Sequence, residues 1–124
     1  MTDFAKIRTA VIEKQEVILN KLTDLPYNDI IKLLASLSSI ITNLDRLQAE
    51  EESQCNKMIV QHMAQDQRAT FSKAEAVLKA SDVYMTYKNI LSLKQCTSRG
   101  LSIVKLHLQC SLKTHIDDDV AQEG

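Results

Sequence analysis

Apolar residues recur three and four positions apart along almost the whole of this 124-residue chain, which is the spacing of one face of an α-helix. Phe4, Ile7, Val11, Ile18 and Leu22 mark a first stripe. Ile30, Leu33, Leu34, Leu37, Ile40, Ile41, Leu44 and Leu47 mark a second and cleaner one. It fades at Glu50, Glu51 and Glu52 and resumes through Cys55, Met58, Ile59, His62 and Met63. A third stripe carries Val77, Ala80, Tyr84, Tyr87 and Leu91, then widens through Leu101, Val104, Leu108 and Leu112. No segment alternates with period two and no Asn-Gly turn pair occurs, so no sheet is expected.

The punctuation between stripes sets the elements. Thr2 or Asp3 can cap a helix over about 3–23, which Pro26 stops because proline disfavours helix at the residue before it. Asn28 or Asp29 can cap a second helix over about 29–68, continuous through the acidic run or irregular near it. Ser72, three before Glu75, has capping-box spacing and starts a third helix over about 71–116. Residues 117–124, opening with Asp117, Asp118 and Asp119, read as a flexible acidic tail.

Composition agrees with that reading. One proline and two glycines stand where average usage would give about six and eight, so little interrupts the helices. The fold class is all-α, one domain of two or three long helices. The Ile30, Leu34, Leu37, Ile41, Leu44 seam is more than so thin a monomer is expected to cover, which predicts a coiled-coil or bundle homo-oligomer. No apolar run approaches the roughly 20 residues that span a bilayer. Asp3 and Glu13 interrupt any signal-peptide core, so a cytoplasmic location is expected, in a host cell if the chain is phage-encoded.

Charge is uneven. Residues 1–32 balance, and 33–69 hold Arg46, Lys57 and Arg68 against five acids. Residues 70–116 hold Lys73, Lys79, Lys88, Lys94, Arg99, Lys105 and Lys113 against only Glu75 and Asp82. A basic helix repeated around an oligomer can hold a phosphate backbone, whereas in a monomer the same lysines form a solvated face. Lys88, Lys94 and Lys105 spread over about 120° of a helix, so one strand would meet them from neighbouring subunits.

Enzyme chemistry finds little to use. Glu50, Glu51 and Glu52 point about 100° apart on a helix and cannot converge as an acid/base pair. Ser36, Ser38 and Ser39 have no histidine or aspartate at relay spacing, and no glycine-rich phosphate loop exists. Cys55, Cys96 and Cys110 are odd in number and far apart, and His107 with Cys110 gives one pair where zinc needs four ligands. No cofactor or metal is expected.

Residues 79–108, KASDVYMTYKNILSLKQCTSRGLSIVKLHL, resemble the C-terminal helical segment of the phage UvsY family of recombination mediators. The matching positions are Lys79, Asp82, Tyr84 and Tyr87, followed by Ser98, Arg99, Gly100, Ile103 and Lys105. The resemblance covers about a quarter of the chain. The basic segment and Tyr-Tyr-Ser-Gly-like element of that family have no counterpart in QCNKMIVQHMAQDQRATF, where only Lys57 and Arg68 are basic. It implies a non-enzymatic helical oligomer that binds single-stranded DNA and helps load a recombinase. The binding track would be Lys79, Lys88, Lys94, Arg99 and Lys105, with Tyr84 and Tyr87 as stacking platforms or as core. The alternative is a helical interaction module, either an oligomeric adaptor or a small phage- or plasmid-encoded inhibitor of a host protein.

Overall fold

The computed structural model describes residues 3–66, 68 and 70–123, with side chains as far as Leu112. Among these residues the regular structure is all helical: α1 (Asp3–Asn20), a 3-10 turn (Leu22–Asp24), α2 (Tyr27–Gln65), α3 (Phe71–Lys79) and α4 (Asp82–Glu123). Thr2 and the side chains of the tail 117–124 lie outside the described residues.

Pro26 stands immediately ahead of α2. Its carbonyl accepts from the amides of Asp29 (3.0 Å) and Ile30 (3.1 Å), and a residue without an N–H is no loss at that position. Asn28 and Asp29, expected as caps, therefore lie inside the first turn, where the Asp29 carboxylate faces the positive end of the helix dipole. From there α2 runs unbroken through Glu50, Glu51 and Glu52. Ion-pair and hydrogen-bond spacing supports that run, since Arg46 holds Glu50 (2.9 Å) and Gln48 holds Glu52 (3.1 Å), each four residues on.

The helix expected over 71–116 is two helices. Thr70, rather than Ser72, caps α3, its side chain accepting from the Lys73 amide at 3.3 Å. The break at Ala80–Ser81 is built by Ser81. Its amide and its hydroxyl both donate to the Leu78 carbonyl, and its hydroxyl accepts from the Tyr84 amide at 3.3 Å. One side chain thus ends α3 and starts α4, with Asp82 in the first turn at the favourable end of the dipole. Gly100 does not interrupt α4, and no further glycine or proline precedes Gly124. The helical backbone accordingly continues to Glu123, through the stretch read as a tail.

The chain, read as one domain, divides into two compact units, residues 1–41 with 96–124 and residues 42–95. In the first, Ile18, Leu22, Ile30, Leu33, Leu37 and Val104 form the core, flanked by Val17, Leu25, Leu34, Leu101 and Leu108. Here α1 and α4 approach closely at Gly100, where an added Cβ would sit 3.1 Å from Ile18 Cδ1. In the second unit Leu44, Cys55, Ala74, Leu78 and Ile90 are buried, drawn from α2, α3 and α4.

Of the expected subunit seam, Ile30, Leu37 and Leu44 are buried within the chain itself, while Leu34 and Ile41 are half-buried. The chain doubles back, so α2 finds its covering helices in its own sequence. On α3 the apolar stripe is also displaced: Val77 and Ala80 are exposed, and Ala74 and Leu78 face inward.

Leu37→Ala should lower folding stability by about 2–5 kcal/mol and half-buried Ile41→Ala by clearly less, as read from urea melts. Gly100→Ala should be neutral or stabilising by up to about 1 kcal/mol. A helical glycine costs about that much, and the crowding atom is the movable end of Ile18.

Candidate functional site

The five cations of the expected strand-binding track are in three different situations. Lys79, the last residue of α3, is paired with Glu75 at 3.0 Å, and that hydrogen bond and charge hold its ammonium above the ordinary 10.5. Lys94, half-buried, is paired with Asp45 and donates to Gln48 Oε1 at 3.0 Å. Both sit in unit 2 with their charges answered locally. Lys88, also in unit 2, is exposed, with Nζ 5.9 Å from the Tyr84 ring centroid.

Arg99 and Lys105 belong to the other unit and are exposed. Lys88, Arg99 and Lys105 have no acidic partner among the described residues. The guanidinium-bearing Arg99 borders an apolar hollow of about 250 Å³ between α1 and α4, with Ile18, Leu19, Gly100 and Ile103. Leu19 there is 80% exposed, and neighbouring Ile103 is half exposed at 51%.

Unit 2 holds a second hollow of about 300 Å³, lined by Glu52, Cys55, Asn56, Leu78, Tyr84 and Tyr87. Tyr84 and Tyr87 are one turn apart on α4, their centroids 6.3 Å apart and their rings inclined at 37°. The Tyr87 hydroxyl donates to Glu52 Oε1 at 3.2 Å, the same oxygen that Gln48 reaches. Burial, then that bond to Glu52, pushes the Tyr87 phenol above its ordinary 10.0. Burial, then the charges of Glu51 and Glu52, pushes the Cys55 thiol above 9.0. Glu52 and Asn56 were absent from the residues singled out by periodicity, because nothing in the sequence links Glu52 to a tyrosine 35 positions later.

The acidic run does not converge. Glu50 is paired with Arg46, and Glu52 turns to Tyr87. Among the described residues no group of three or more His, Cys, Asp or Glu side chains lies close enough to hold a metal ion, and no disulfide joins the cysteines. No described helix is long and apolar enough to cross a membrane. No protein-family model, curated protein or solved structure matches the chain.

The thiols should react in two classes. Cys96 and Cys110, exposed, should react quickly with a disulfide reagent, and buried Cys55 slowly. Stability should also fall in alkali. Below pH 9.0 both states keep the Cys55 and Tyr87 protons and the contribution is full; as pH rises through the raised folded values the unfolded chain ionises first and stability is lost. Thermal melts from pH 8 to 11 should show the fall, and Cys55→Ala with Tyr87→Phe should flatten it.

Proposed function

We propose that this chain is a non-enzymatic accessory protein that binds single-stranded DNA and works as a helical oligomer, in the manner of a recombination mediator. The observation that carries the reading is the set Lys88, Arg99 and Lys105: three exposed cations of α4 with no acidic partner among the described residues. The resemblance of residues 79–108 to the UvsY family supports it, since Arg99 and Lys105 fall on matching positions. Phosphates meet such side chains without reading sequence, and the released counterions supply the free energy. The mediator breaks no bond. It changes a strand's affinity for a competing coat protein and so makes room for a recombinase. Lys79 and Lys94 are secondary, because a phosphate would first have to displace Glu75 or Asp45.

A second reading rests on a separate observation, the apolar hollow with exposed Leu19 and Ile103. Exposed aliphatic side chains around a concavity are the mark of an interaction module, an adaptor or an inhibitor that docks on another protein. The hollow is also a surface at which copies of this chain would join in an oligomer.

Anisotropy with a labelled 30-mer single strand separates the readings. Binding at low salt should weaken with salt, and Arg99→Glu or Lys105→Glu should weaken it for all sequences and flatten the log–log slope by about 0.7 for each lost contact. Lys94→Gln and Lys57→Gln should do less. Absence of binding at low salt would end the DNA reading in favour of the interaction module.

A further inference from the structure

We infer that the hollow of unit 2 lined by Glu52, Asn56, Tyr84 and Tyr87 is a docking site for an arginine side chain of a protein partner. It shares no lining residue with the DNA contacts proposed for Lys88, Arg99 and Lys105, although the Lys88 ammonium lies 5.9 Å from the Tyr84 ring, and it lies beside the part of α2 where Glu50, Glu51 and Glu52 follow one another.

The chemistry of the lining selects a flat cation. Cys55 and Leu78, both buried, give the hollow an apolar floor suited to a methylene stem. Tyr84 and Tyr87 present two inclined rings 6.3 Å apart, and aromatic faces attract cations through their quadrupole. The Lys88 ammonium, 5.9 Å from the Tyr84 centroid, already makes one such contact. Glu52 Oε1 receives both Tyr87 and Gln48, and Oε2 receives no hydrogen bond among the described residues. That oxygen, with the Asn56 carbonyl, offers acceptors to a donor-only group. A guanidinium can stack on a ring while donating at its edge, which a compact, strongly hydrated ammonium cannot. The adjacent carboxylates repel phosphate, so this hollow and a nucleic acid are electrostatically mismatched. The charge complementarity is with a basic segment of protein.

The test uses the full chain, isotopically labelled, titrated with N-acetyl-argininamide, with N-acetyl-lysinamide, and with a nine-residue peptide carrying one central arginine. Amide shifts should cluster at Glu52, Asn56, Tyr84 and Tyr87. The arginine probe should bind about threefold more tightly than the lysine probe, the size of one exposed cation–π contact. The peptide should exceed the free amide by about tenfold, since its flanks add contact. Glu52→Gln should abolish the clustered shifts, while Glu50→Gln, which alters the same field but not the hollow, should leave them. Circular dichroism of each variant checks that the helices persist. Equal binding of the two amides, scattered shifts, or equal loss in Glu50→Gln and Glu52→Gln would overturn the site. A peptide no tighter than the free amide would overturn the protein partner. Loss of DNA binding without change in these shifts would sink only the DNA reading.

Discussion

The fold depends on how the apolar stripe of α2 is covered. A helix of 39 residues with an apolar side chain every three or four positions cannot stand alone in water, and most helical stability comes from covering such a stripe. The cover comes from within the chain. In one unit α1 and the later part of α4 close over Ile30, Leu33 and Leu37, with Ile18 packed beside Gly100. In the other, α3 and the first turns of α4 supply Ala74, Leu78 and Ile90 beside the burial of Leu44 and Cys55. Both cores are small and almost wholly aliphatic, which follows from an aromatic content of 4%.

Charge is distributed by the same folding. The excess of lysine in residues 70–116 looks like a continuous basic surface along the sequence. Folding sets Asp45 against Lys94, and Glu75 answers Lys79 one turn away. Exposed pairs of this kind contribute little to stability, about 0–1 kcal/mol, yet they decide which cations remain available to a ligand. Among the described side chains of that stretch, those are Lys73, Lys88, Arg99 and Lys105. Acidic and aromatic groups then meet around Glu52, Tyr84 and Tyr87, in surroundings that favour a cation over a phosphate. The two kinds of surface are chemically opposed, and Lys88, 5.9 Å from the Tyr84 ring centroid, borders both.

The class of structure follows from local sequence alone. Scarce glycine and proline, helical periodicity in every stripe and the absence of alternation leave helix as the secondary structure available, and Pro26 marks one junction correctly because its effect is local. Local chemistry was also enough to place the start of α3 near residue 71, although Thr70 and not Ser72 is the cap. The break at Ser81 was legible in principle as a serine ahead of Asp82. The apolar stripe runs across it without a change of period, which hides the break.

Tertiary structure alone decided what the stripes and charges face. Periodicity reports that a helix has an apolar side and cannot report whether a copy of the chain or another part of it provides the cover; Ile30, Leu37 and Leu44 belong to the chain's own core. Nor could it bring Glu52 to Tyr87 or Asp45 to Lys94, since those pairs are separated by 35 and 49 positions and meet only when the chain reverses direction. Helix formation is a matter of neighbours within four residues, so sequence order fixes it. Which faces pack together depends on where the turns return the chain, and that is a property of the folded whole.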